Sequence, residues 1–257
     1  MLTFKNINIL FVSVLLLLIA GDILYDLPLI IFPILLVLYS LILFYGCYYI
    51  GSNFFMKVFC SAKTERKEIA ISFDDGPAEN FTPLILKTLK EHNVKAGFFC
   101  IGNRIAGNEN IFKQLKEEDH IIGNHSYTHD FFFDLFSSKR MLHELKMMDG
   151  DTVKITGLKP KLFRPPYGVM NPNLRKAIIE GGYIPVGWNV RSMDTVIKDK
   201  KKLLNKILKA LKPGAVYLFH DTSASTVEIL PAFIRQVKEL GYEIVRLDKM
   251  MNLAAYA

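Results

Sequence analysis

Two long apolar runs open this chain, and a finer alternation of short segments follows them. The first run covers about residues 7–24 with Leu15 to Leu18 at its centre, and the second covers about 27–50 without a charge. Asp22 and Asp26 mark the break between them. Roughly 20 apolar residues span a bilayer, so the second run qualifies outright and the first is marginal. A cleaved signal peptide is the competing reading of the first run. Ala20-Gly21-Asp22 makes a poor small-x-small site, however, and another apolar run follows at once. Residues 1–62 therefore read as a membrane anchor formed by a two-helix hairpin. A single anchor behind an interfacial or cleaved first segment is the alternative.

From residue 63 the pattern changes. Strand candidates are Ile69–Phe73, Ala96–Ile101, His120–Gly123, Lys161–Phe163, Ile184–Trp188, Val216–Phe219 and Glu243–Leu247. Amphipathic helix candidates are Pro83–His92, Asn110–Glu118, Ser138–Val153, Pro172–Glu180, Lys200–Leu211 and Val227–Leu240. Thr82 before Pro83 and Asn171 before Pro172 read as N-caps with proline at the first helical position. Strands alternating with helices imply parallel strands joined by helical crossovers, an α/β domain over 63–257. A barrel and an open doubly wound sheet both satisfy this pattern, and both place their sites at strand C-termini.

Charge and cysteine content change the picture little. The net charge is +7. Lys5 and Lys57 cancel Asp22 and Asp26 in the anchor, so the excess lies in the α/β domain. No dense basic stripe with interleaved aromatics occurs, which argues against nucleic acid as a partner. Cys47, Cys60 and Cys100 form no CxxC and give no basis for a disulfide framework.

The chemically interesting residues all follow strand candidates. Asp74-Asp75-Gly76-Pro77 closes the first, and taken alone it reads as a turn. Adjacent carboxylates at the end of a buried strand nevertheless call for a cation. His125 and His129 follow the third strand, four residues apart. Joined to one aspartate they make a two-imidazole, one-carboxylate set that can hold a divalent metal and leave positions open. His92, His120 and His143 lack such company and read as surface or helix-end residues. Arg164-Pro165-Pro166-Tyr167-Gly168 is rigid backbone that could aim Arg164 at a carboxylate and the Tyr167 N–H at an oxyanion. His220 closes the sixth strand, where it could serve as a general acid. Trp188 reads as core rather than as a sugar platform.

These segments, together with Asn189-Val190-Arg191-Ser192-Met193-Asp194-Thr195, resemble the five motifs of the polysaccharide deacetylases, the NodB-homology domain of carbohydrate esterase family 4. The likeness covers about residues 66–250. It implies a distorted (β/α) barrel of up to seven parallel strands behind the transmembrane hairpin. It implies that Asp74 is the general base, that Asp75, His125 and His129 bind zinc or a similar divalent ion, that Arg164 orients Asp74, and that His220 is the general acid. The reaction implied is removal of an N-acetyl group from an amino sugar, with release of acetate. An O-acetyl esterase and a non-catalytic glycan-binding protein are the competing readings. Peptidoglycan, a capsule or exopolysaccharide, and a polyprenyl-linked amino sugar all remain open as substrates. The short linker keeps the site near the bilayer.

Two expectations stand in tension with the resemblance. Lys5 before the first apolar run, and Lys57, Lys63, Arg66 and Lys67 after the second, place both ends in the cytoplasm by the positive-inside rule. Envelope glycans place the catalytic domain on the periplasmic or extracellular side. In the fourth motif, Arg191 and Thr195 replace an Asp and a Trp of the family, while Asp194 is kept. His220 is then expected to lack its usual carboxylate and to lose proton affinity, unless Asp194 takes up the imidazole.

Overall fold

The alternation of buried strands and amphipathic helices builds a single parallel sheet wrapped by helices in the computed structural model, which describes residues 2–257. Two helices precede it, α1 (Phe4–Tyr25) and α2 (Ile31–Tyr48). Each is long and apolar enough to cross a membrane. Thr3 caps α1 by accepting from Asn6 N, and Asp22 Oδ1 accepts from Leu27 N at the turn. The helices meet through a Tyr39 hydroxyl that donates to Asn8 Oδ1 at 2.8 Å and a Phe11–Tyr39 stack.

The strands are β1 (Glu68–Asp74), β2 (Gly97–Cys100), β3 (Ile121–Asn124), β4 (Leu162–Phe163), β5 (Ile184–Pro185), β6 (Val190–Arg191), β7 (Ala215–His220) and β8 (Glu243–Ile244). All pair in parallel in the order β5-β4-β3-β2-β1-β7-β6, with β8 beside the start of β1. β1 is central, and its run Ile69-Ala70-Ile71-Ser72-Phe73 is wholly buried, as expected of a strand covered on both faces. The helices α3 (Thr82–Glu91), α4 (Glu109–Glu117), α5 (Ser138–Thr156), α6 (Pro172–Gly181), α7 (Lys200–Lys209) and α8 (Ala224–Glu239) supply the crossovers, and α9 (Leu247–Met251) follows β8.

The barrel is open between β5 and β6, and the chain arriving from α2 lies in the opening. Phe59 N donates to Pro185 O and Gly187 N donates to Phe59 O, each at 3.0 Å. Ser61 bridges to Ala215, and Ala62 N donates to Gly214 O. The open ends of the hairpin also pack on the domain. Phe4 N donates to Phe54 O and Met170 N donates to Cys47 O, each at 2.9 Å. Ile7, Ile50, Phe54 and Phe55 share one apolar cluster with Phe133, Phe136, Met170 and Tyr183.

All seven strand candidates are present, several of them shortened, and a two-residue strand, β6, adds an eighth. Asn171 caps α6 as expected, accepting from Leu174 N at 2.8 Å. Thr82 does not cap α3. It is the first helical residue, and its hydroxyl accepts from Ala78 N and donates to Asp221 Oδ2, each at 2.7 Å. His120 is not a surface residue either: it is buried, and its Nδ1 accepts from Ala96 N at 3.1 Å.

Gly123 shows how tightly the sheet is filled near its C-terminal end. A Cβ there would stand 2.5 Å from the Phe99 ring on β2. Overpacking of this kind costs about 1–3 kcal/mol. Gly123→Ala is expected to lower the urea midpoint of the protein by that loss divided by the slope, with the slope itself unchanged. An unchanged midpoint would show that Phe99 can move aside freely.

Candidate active site

The parallel register brings the ends of β1, β3, β4 and β7 to one rim, and the sequence-predicted residues meet there. Asp74 ends β1 and Asp75 follows it; His125 follows β3, Arg164 follows β4, and His220 ends β7. The resulting cleft, of about 210 Å³, is lined by both aspartates, His125, His129, Tyr167, Trp188, Arg191, Thr195 and His220.

Three of these residues converge on one point. His125 Nε2 and His129 Nε2 each lie 3.5 Å from Asp75 Oδ1. Tetrahedral ligands held at about 2.1 Å from a zinc ion would be roughly 3.4 Å apart, so the donor set fits a metal. The tautomer fits as well. His125 Nδ1 lies 2.8 Å from the Arg164 carbonyl, and donating to it leaves Nε2 with its lone pair facing Asp75. The loop backbone is set for this task. Asp75 (φ 77°), Ser126 (φ 65°) and His129 (φ 50°) all adopt the left-handed conformation that residues with a Cβ rarely take. Asn124 pins the loop, because its Oδ1 accepts from Ser126 N while its amide donates to Leu145 O and Asp149 Oδ1. Ser126 Oγ in turn accepts from His129 N.

Arg164 is wholly buried beneath the site. Its Nη1 donates to Asp74 Oδ1 at 2.6 Å and to Ser72 Oγ at 2.8 Å. Nε and Nη2 donate to the Val186 and Gly187 carbonyls, and the guanidinium lies 3.9 Å above the Phe99 ring. Asp74 is thus held through one oxygen. The other, Oδ2, lies 3.9 Å from His125 Nε2 at the cleft.

His220 does not lack a carboxylate, so the expectation drawn from Arg191 is overturned. Asp194 Oδ1 lies 2.8 Å from His220 Nδ1, and Asp194 Oδ2 accepts from the His220 amide at 2.7 Å. Asp194 is buried and fully partnered, with Ser192 Oγ, Thr195 N and Thr226 Oγ1 also donating to it. Burial lowers the proton affinity of His220, but the bond to Asp194 and its charge outweigh burial, and the pKa is raised. For Asp75, burial is likewise outweighed, here by His125 and His129, which hold the carboxyl well below the usual range. Burial and the neighbouring His125 push His129 down to about 4.

Tyr167 stands at the mouth of the cleft in the left-handed conformation (φ 58°), its ring edge against His129 at 4.7 Å. Trp188 is half-buried. It packs against the core, as expected, and also lines the cleft. The sequence reading passed over Ser72 and Thr226, which steady Arg164 and Asp194. It also passed over Asp221, a buried carboxyl that burial pushes up to about 7 and that bonds Thr82. No local pattern marks these residues, because their partners lie far away along the chain.

Comparisons with known proteins agree with this geometry. The family model for polysaccharide deacetylases matches residues 61–186. A peptidoglycan-N-acetylglucosamine deacetylase of Bacillus cereus is 37% identical over 189 residues, spanning 70% of this chain and 68% of that protein. The peptidoglycan-N-acetylmuramic acid deacetylase PdaA of Bacillus subtilis is 34% identical over 218 residues, spanning 82% of this chain and 78% of its own. The crystal structure of the Bc1960 peptidoglycan N-acetylglucosamine deacetylase superposes with a TM-score of 0.74 at 31% identity, covering 78% of this chain and 95% of that one. With the motifs, the parallel half-barrel and the relatives in agreement, the chain belongs to the polysaccharide deacetylase family.

Proposed function

We propose that this protein is a membrane-anchored, metal-dependent N-deacetylase of amino sugars in an envelope glycan or a lipid-linked sugar, with its catalytic domain outside the cytoplasm. One observation carries the reading. A single cleft joins a three-donor metal set, a carboxylate fixed by a buried arginine and a histidine fixed by a buried aspartate. The relatives named as acting on peptidoglycan support a glycan amino sugar as substrate.

Each residue then has a task. Asp75, His125 and His129 would hold a divalent ion, zinc by preference, which supplies polarisation of the acetyl carbonyl and acidification of water. Asp74 accepts the proton of the attacking water on the oxygen that Arg164 leaves free. Arg164 pairs with the Asp74 carboxylate and fixes its direction. The Tyr167 backbone N–H donates to the developing oxyanion. His220 turns Nδ1–H to Asp194 and carries its second proton on Nε2 towards the cleft. From there it protonates the departing amine, while acetate leaves with the oxygen of the water. The contacts of α1 and α2 with the domain support their retention as an anchor, and residues 63–257 then form the catalytic unit.

Asp74→Asn is expected to lower acetate release about a hundredfold or more, with metal content by mass spectrometry staying at one ion per chain. Loss of metal from that variant would make Asp74 a ligand instead.

The pH profile tests His220. Its raised pKa keeps the acid protonated to higher pH, so removing the Asp194 charge should move the alkaline limb down. Asp194→Asn is expected to lower that limb by about one pH unit or more in kcat/KM. An unmoved limb would take the general-acid role from His220.

Protease accessibility tests the side of the membrane. Cleavage of the domain in intact spheroplasts is expected. Protection until the membrane is breached would place the domain in the cytoplasm, as the flanking lysines alone would have it.

A further inference from the structure

We propose that the substrate is an amino sugar carried on a lipid diphosphate, and that Arg191 and Lys212 bind its phosphates in a groove leading from the membrane helix to the catalytic cleft. The inference rests on the deacetylase reading above and narrows its substrate. A groove of about 400 Å³ runs beside the cleft, lined by Tyr48, Tyr49, Tyr167, Trp188, Arg191 and Lys212 among others. Tyr167, Trp188 and Arg191 line the cleft as well, so the two spaces adjoin. Tyr48 ends α2 and Tyr49 follows it, so the other end of the groove lies where the helix leaves the bilayer. Tyrosines at that level suit the membrane interface.

The charge in the groove is one-sided. No carboxylate lines it, and among the described residues neither Arg191 nor Lys212 takes part in an ion pair. Lys206 brings a third cation close, since its Nζ donates to the Arg191 carbonyl at 2.5 Å. A neutral sugar polymer gives these cations nothing to bind. A diphosphate matches them, because a guanidinium pairs with phosphate oxygens in a fork and an ammonium binds them as a point charge.

An independent feature sets the height of the cleft. Phe131, Phe132 and Leu135, in the stretch that follows His129, are 74%, 57% and 74% exposed. The Phe131 ring lies 6.2 Å from that of Tyr167. The same loop sends Phe133 and Phe136 into the cluster against which Leu43 and Cys47 of α2 pack. An apolar rim beside a membrane helix belongs in the lipid interface. The cleft then opens at the level of lipid headgroups, within reach of a sugar that never leaves the bilayer.

The test uses the full-length, metal-loaded protein in phosphatidylcholine vesicles. Acetate release is measured from polyprenyl-diphosphate-linked N-acetylglucosamine and from soluble tetra-N-acetylchitotetraose. The expected KM for the lipid-linked sugar is at least about tenfold lower. Arg191→Gln should raise that KM about tenfold with kcat within about twofold, and Arg191→Lys should recover most of it. Farnesyl diphosphate should compete, and inorganic pyrophosphate should compete far more weakly. Equal KM values for the two substrates overturn the inference, as does a kcat loss in Arg191→Gln shared by both. Pyrophosphate competing as well as farnesyl diphosphate removes the lipid from it. Acetate from the oligosaccharide alone overturns only this inference, whereas acetate from neither substrate brings down the deacetylase reading too.

Discussion

A guanidinium with no exposure to water sits under the cleft, and the rest of the site is arranged around keeping it there. Burying an unpaired charge costs many kcal/mol, so Arg164 must be met on every side. It is met by Asp74, by Ser72, by the carbonyls of Val186 and Gly187, and by the face of Phe99. These partners come from β1, β2 and the turn after β5. The same cation that holds Asp74 therefore ties the first strand to the fifth across the sheet. Its own backbone carbonyl fixes the tautomer of His125. Fold and chemistry share one residue, and neither can be altered there without the other.

The remaining precision comes from backbone held where side chains resist it. Asp75, Ser126, His129, Tyr167 and Met193 are all in the left-handed region, and all lie in the loops around the cleft. Such positions cost about 1–3 kcal/mol each, and they persist only when the surroundings over-determine them. Asn124, Glu144 and Ser126 supply that surplus of hydrogen bonds in the histidine loop. The loops thereby hold the nitrogens of His125 and His129 beside the Asp75 carboxylate.

Much of this was legible in the sequence, for identifiable reasons. The buried strands announced themselves by unbroken apolar runs, and the helices by their period. The rule that sites gather at strand C-termini then collected Asp74, Asp75, His125, His129, Arg164 and His220 into one place. What could not be read were contacts made across the sheet. Thr82 looked like a cap, but its hydroxyl had a better partner in Asp221, which lies far along the chain. His120 looked like a helix end, yet it is sealed by Ala96 and Phe98. The fourth motif misled most. The lost aspartate drew attention to position 191, while the turn through Ser192 and Met193 delivers Asp194 to the imidazole. Spacing along a motif does not say which of two carboxylates a turn will aim inward.

The strip of chain at 59–62 has a bearing on how the catalytic half can be isolated. It lies in the opening between β5 and β6 and also reaches the start of β7, satisfying Pro185, Gly187 and Gly214 through main-chain bonds. A soluble fragment trimmed to begin at residue 63 would expose that gap as raw sheet edge. Unpaired edges recruit other chains, so such a fragment invites strand exchange and clumping rather than a quiet monomer. One that starts upstream of Phe54 would keep its own stitching, together with the aromatic plug that Phe54 and Phe55 press against the outer face.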